Sequence, residues 1–199
     1  MRRWLLLLAW FAAPVLAQPN GILLIAKPGL PDPNFRETVV LVARTDDAAT
    51  VGVILNRPSV RRLVDIAPTW PGAEDFNEPL YDGGPVMRQV LLAVYVSDEA
   101  PRGPAFRVLP NVYLTMHPAN LEPLIAQPGA RMRLYAGFSG WAPRQLEAEM
   151  QSDSWYVLRA TEDLIFRKDT TGMWSELVER ARGARTVRDV VTDLDVAAR

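Results

Sequence analysis

The chain has 199 residues, with 22 basic and 23 acidic side chains, one histidine and no cysteine. Its net charge of −1 gives no electrostatic reason to expect a polyanion such as nucleic acid as partner. Without cysteine there are no disulfide staples, thiolate nucleophiles or thiolate metal ligands, and one histidine leaves only a carboxylate site for Mg2+ or Ca2+.

The first 17 residues read as a secretory leader. Arg2 and Arg3 precede an apolar run over 4–15, and Val15 and Ala17 stand at the small-residue positions of a cleavage site. The run is shorter than the roughly 20 residues that a membrane-crossing helix needs, so no stable span is expected. A start site lying nearer Val15 or Gly21 is the alternative. The remaining chain is long enough for one domain with its own core, expected over 18–185, with a short helix or tail over 186–199.

Two β-branched runs, 21–26 and 37–44, are expected strands, separated by a loop with three prolines. The polar turn at 45–50, with Asp46 and Asp47, leads into a third strand over 51–56 that Pro58 ends. The second and third strands form a predicted hairpin. Their continuous apolar character predicts burial on both faces. Residues 59–67 are an expected helix with Ser59 as cap and Val60, Leu63, Val64 and Ala67 along one stripe. An irregular segment follows over 68–85, of a length often linked to function.

A central strand is expected over 89–96, then one or two strands over 106–116 broken at Pro110. Next come a helix over 118–127 despite Pro123, a strand over 131–138, and a helix over 143–150. Residues 155–160 and 163–167 read as late strands or extended segments. The pattern over 172–182 is an amphipathic helix with Trp174, Leu177, Val178 and Ala181 inward. Strands mixed with helices and a hairpin predict a mixed α/β (α+β) domain, a mixed sheet flanked by helices.

Candidate chemistry is sparse. The order Gly137-Phe138-Ser139-Gly140-Trp141 departs from the G-x-S-x-G nucleophile elbow, because tryptophan fills the slot of the second glycine. The only histidine, His117, lies upstream, whereas the elbow fold places it last. Ser139 is therefore expected to be architectural, at a strand-to-helix turn with Pro143 near the first helical position and Trp141 packed beneath. His117 reads as a capping residue. Glu147 and Glu149, two apart on a helix, face different ways and cannot clamp an ion. Arg180, Arg182, Arg185 and Arg188 are offset by neighbouring acids, which fits a solvated helix face. Gly83 and Gly84 could aim successive N–H groups into a nest for an anion, with Asn56 and Arg57 adding an amide and a guanidinium at a strand end. In the alternative, Arg57 pairs with Asp82 or Asp32 and pins two loops.

Five spaced motifs cover residues 21–182: the run 21–44, then 51–58, 82–86, 135–158 and 173–181. In this order they resemble the YqgE/AlgH family. The resemblance implies a compact mixed-sheet α/β domain and no established biochemical activity; some members carry the label of a transcriptional regulator. The residues carried over are Pro33, Phe35, Asn56, Arg57, Pro58, Gly83, Gly84, Pro85, Gly137, Gly140 and Trp141, with no catalytic role attached to any. The resemblance also implies a cytoplasmic protein, and the leader departs from that.

The expectation is an exported, periplasmic, non-catalytic binding module without a cofactor, whose partner is a small anion or a protein. Its surface is expected where the loops around Arg57, Gly84 and Ser139 meet. The alternatives are a cytoplasmic regulator, if the leader is an artefact, and a serine-dependent hydrolase.

Overall fold

A computed structural model describes residues 21–45, 49–127 and 129–183. The leader, the Asp46-Asp47 turn and the expected terminal helix or tail over 186–199 lie outside the described residues.

The aliphatic runs pair as expected from their composition. β1 (Ile22–Ala26), β2 (Val39–Arg44) and β3 (Thr50–Ile54) form an antiparallel meander, with the β2–β3 hairpin in place. The other strands are β4 (Leu80–Asp82), β5 (Val86–Val96), β6 (Phe106–Leu109), β7 (Val112–Thr115), β8 (Met132–Trp141) and β9 (Trp155–Arg159). They form one sheet in the order β6-β7-β5-β8-β3-β2-β1-β9, and β4 joins β8 as its parallel neighbour. All other pairings are antiparallel. The sheet is thus mixed.

The sheet curls on itself. The Gly21 N–H donates to the Val108 carbonyl of β6 at 2.9 Å, so one end of the strand order returns to the start of β1. Inside the curl, Leu23, Ile25, Leu41, Val53, Leu92, Val108, Leu114 and Tyr135 share one core. The alternate residues of the same strands, Leu24, Val40, Val42 and Ile54, meet Trp141 and Trp155 on the opposite face. That two-sided burial explains why β1 to β3 carry no polar alternation.

Five helices lie among the described residues: α1 (Leu63–Ile66), α2 (Pro118–Ala126), α3 (Gln145–Gln151), α4 (Glu162–Ile165) and α5 (Met173–Gly183). None is long and apolar enough to cross a membrane. α2 opens on His117, whose Nδ1 accepts the Ala119 N–H at 3.3 Å, and keeps Pro123 inside it. α5 buries Met173, Leu177 and Val178, while Trp174 and Ala181 pack at the edge of that core.

Four expectations need correction. The helix expected over 59–67 is reduced to α1, because the Ser59 N–H is taken by the Leu80 carbonyl at 2.7 Å, which holds residues 58–59 alongside β4. Val60 is left fully exposed. The irregular segment 68–85 contains β4. Residues 162–165 are helical, with the Thr161 carbonyl accepting from Leu164 and Ile165. The strand expected to end at Phe138 continues to Trp141, pairing Thr50, Val51 and Gly52 with Trp141, Gly140 and Ser139. Ser139 therefore sits in a strand, not at a strand-to-helix turn.

Candidate functional site

β3 leads into Leu55-Asn56-Arg57-Pro58. The Asn56 side chain spans two strands: its Oδ1 accepts the Val39 N–H at 2.8 Å and its Nδ2 donates to the Glu37 carbonyl at 2.9 Å. That amide sets the start of β2 against the end of β3. The next residues run beside β4, where the Asp82 N–H donates to the Arg57 carbonyl at 2.9 Å and Pro58 bridges to Tyr81.

Gly83 then crosses against β8. Its N–H donates to the Ala136 carbonyl at 3.0 Å, while its own carbonyl accepts the Ile54 N–H at 2.9 Å and the Ser139 hydroxyl at 3.4 Å. A Cβ on Gly83 would stand 2.2 Å from the Gly137 carbonyl oxygen, and one on Gly84 would stand 2.3 Å from that of Phe138. Gly137 itself holds a φ of 72°, a region that favours glycine. These glycines let three chain segments touch. Because the Gly83 N–H is spent on Ala136, Gly83 and Gly84 do not offer a pair of adjacent free amides, and the two-glycine nest is set aside.

What remains at the surface is a guanidinium cleft. Asn34, Arg57, Asp82, Gly84, Pro85 and Arg88 enclose about 150 Å3. Asp32 anchors the far wall by accepting the Asn34 N–H at 2.8 Å, and the Asn34 carbonyl in turn accepts Arg57 Nη1 at 2.9 Å. Asp82 is ion-paired with Arg61, whose Nη1 also donates to the Arg88 carbonyl at 3.2 Å. Asp82 and Asp32 are thus both engaged elsewhere, and Arg57 pairs with neither. Burial lowers the Arg57 pKa; the Asp82 charge opposes that and the Arg88 charge adds to it. Three guanidiniums therefore gather around one carboxylate. On its other side Arg57 borders a wider recess of about 630 Å3, with Arg36, Asn56, Thr171 and Trp174 in its walls.

The remaining family residues build a different feature. Pro33 is exposed where the 33–37 turn begins, and that turn delivers Phe35 to the outer core. The Phe35 ring stacks on Trp141 at 5.7 Å between centroids and meets Trp155 edge-on at 5.6 Å. Trp141 and Trp155 each donate their indole N–H to Glu149 Oε2 at 3.0 Å. Gln145 holds the other oxygen at 3.2 Å. Gly140 lies in β8 opposite Val51.

Ser139 is fully buried, and its hydroxyl faces the Gly83 carbonyl. His117 caps α2. Among the described residues no three His, Cys, Asp or Glu side chains gather as a metal ion would require. Sequence reasoning missed Arg61 and Arg88: the first was assigned to a helix, and the second lay just outside the expected strand. It also missed Glu149 as the common acceptor, which no local spacing signals.

The comparisons with known proteins agree on one family. Residues 23–185 match the AlgH-like family. A UPF0301 protein of Thermobifida fusca is 38% identical over 175 residues, covering 82% of this chain and 87% of that protein. A UPF0301 protein of Streptomyces coelicolor is 35% identical over 173 residues, covering 82% and 87%. The AlgH solution structure from Pseudomonas aeruginosa shares the fold, with a TM-score of 0.68 and 23% identity over 87% of this chain and 93% of that one. A crystal structure from Corynebacterium diphtheriae gives a TM-score of 0.66 at 26% identity, covering 81% and 86%.

Proposed function

This chain belongs to the AlgH-like family, and from that premise we propose that it is a non-catalytic binding module holding a small anion, a carboxylate or a phosphate, in the Arg57 cleft. The observation that carries this reading is the placement of Arg57. It is half-buried, oriented by a backbone carbonyl, and has no carboxylate in ion-pair contact among the described residues, since Asp82 is engaged by Arg61. A partly desolvated guanidinium gains more from an incoming anion than a fully hydrated one, and its planar fork suits two-point contact with carboxylate or phosphate.

Within the cleft, Asp82 is the one carboxylate, and it is tied to Arg61. Such an arrangement favours holding a charge over moving a proton. Export to the periplasm is part of the same reading and is supported by the basic-then-apolar order of residues 1–17.

The test is thermal denaturation of the purified protein with phosphate and with succinate. The expected result is a rise in melting temperature that Arg57→Ala abolishes. A rise that Arg57→Ala leaves intact removes the cleft as the site. Export is tested by N-terminal sequencing of the protein from cell fractions, with a new terminus at Gln18 expected in the periplasm.

A further inference from the structure

Exposed large apolar side chains are few among the described residues: Val60, Val86, Met87 and Met116. Two of the four begin β5, immediately after the Arg57 cleft. A third, Met116, lines a groove of about 280 Å3 whose walls carry Ile66, Trp70, Leu91 and Leu121 together with the polar Thr69 and Gln89. The cleft ends at Arg88 and the groove begins at Gln89. Arg88 and Gln89 are consecutive residues of β5, so the two recesses flank one stretch of strand, and a second strand laid along it would likewise send neighbouring side chains to opposite faces.

The backbone between them has no strand partner on one side, although its Arg88 carbonyl accepts from Arg61 Nη1 at 3.2 Å. β7 pairs with β5 only from Ala93 to Val96, and no strand among the described residues occupies that side of 86–92. The pairing with β8 also shifts register between Val86 and Leu91, and Met87 takes a φ of 45°. Its side chain is 57% exposed. A strand edge left unpaired beside a groove that can take a side chain is the arrangement that receives extended peptides. The arginines decide the charge of that peptide.

We propose that the first half of β5 docks an extended, acidic peptide segment of a partner protein, with a large apolar side chain in the Trp70–Met116 groove and a neighbouring carboxylate in the Arg57–Arg88 cleft. The proposal rests on the anion reading of that cleft and extends it from a free anion to a side chain carried on a peptide. Charge complementarity fixes the class: with Asp82 engaged by Arg61, the unmatched charge of Arg57 and Arg88 selects Asp or Glu beside the anchor.

The experiment is selection of a phage-displayed random heptapeptide library on the purified protein, followed by fluorescence polarisation with the enriched peptide. The expected peptides place Asp or Glu within two positions of Leu, Ile, Phe or Met. Their affinity is expected to fall at least tenfold with Met116→Asp and with Arg88→Glu. Both residues are exposed, and melting temperatures verify that each variant is folded; Met116→Ser serves as a milder second variant. Absence of an enriched motif overturns the proposal. So does binding that Arg57→Ala abolishes while Met116→Asp leaves it intact, which would leave only an anion site. Binding that depends on Met116 but on neither arginine overturns it as well. The phosphate and succinate shifts report on the anion reading separately, so the two failures are distinguishable.

Discussion

Gly83 and Gly137 face each other across the junction of β4 and β8, with the ideal Cβ position of Gly83 only 2.2 Å from the Gly137 carbonyl oxygen. No real Cβ fits there without moving backbone, and this backbone carries the bonds that join Ile54, Gly83 and Ala136. Gly83→Ala is therefore expected to destabilise the fold by about 3 kcal/mol or more, at the upper end of what overpacking a core costs. A urea unfolding midpoint well below that of the parent checks it. An unchanged midpoint would mean that the segments separate freely.

Ser139→Ala is the opposite case. The hydroxyl is buried, but its bond to the Gly83 carbonyl is long at 3.4 Å, and that carbonyl keeps the Ile54 N–H as donor. The expected loss is within about 1 kcal/mol. Any turnover of generic ester or phosphate substrates is expected to be the same in both proteins, and an activity that disappears with the hydroxyl would overturn the binding reading.

Glu149 is the shared acceptor of two indoles, so its removal strands two donors at once. Glu149→Ala is expected to cost about 2 kcal/mol, the scale of hydrogen bonds to a charged group. Loss of the restraint on Trp141 and Trp155 should also shift tryptophan emission to longer wavelength. Emission unchanged by the substitution would show that packing against Phe35 alone holds the rings.

Burial raises the pKa of the Tyr135 phenol above its ordinary value; Arg133 opposes this and Tyr81 adds to it. Tyr95 is raised too, by burial first and by Tyr113 second. On alkaline titration the unfolded chain gives up these protons first, at about pH 10, while the native state retains them. The stability they confer is complete below that pH and is lost progressively above it. Neither hydroxyl makes a hydrogen bond of good geometry among the described residues, although the Arg133 guanidinium lies near that of Tyr135. Tyr135→Phe should therefore leave stability at neutral pH unchanged or slightly higher and make the alkaline decline shallower, as read by melting temperature against pH.

Arg88 is exposed and Arg57 half-buried, so salt should separate their contributions to anion binding. The screening length shrinks from about 10 Å at 0.1 M salt to about 3 Å at 1 M. Arg88→Ala is expected to weaken phosphate binding at low salt and to matter little at high salt. Arg57→Ala should weaken it under both conditions. Isothermal titration at the two ionic strengths decides between them, and equal salt dependence for both variants would place the two side chains in the same environment.

Much of the architecture can be read from residue order. The runs forming β1, β2 and β3 are apolar at successive positions because both faces of the sheet are covered, a pattern visible without coordinates. The break at Pro110, the amphipathic stripe of α5 and the proline-led start of α2 are equally local. Where local rules misled, a distant segment had intervened. Ser59 caps no helix because its backbone is held beside β4, its N–H donating to the Leu80 carbonyl. Ser139 to Trp141 reads as a turn after a strand ending at Phe138, yet β3 pairs with these three residues and keeps them extended. Residues 163–167 read as strand or extended, yet Thr161 caps a helix over 162–165, its side chain accepting the Leu164 N–H.

The sequence by itself determined the class of the fold, the two-faced core and the residues distinctive of the family, because burial and turn chemistry act between near neighbours. Only the tertiary structure decided that Arg61 takes Asp82, that Arg57 is left to face the cleft, and that Glu149 serves two indoles. These are choices among several partners of the same charge or kind, and they depend on distances set by the curl of the sheet, which no spacing along the chain encodes.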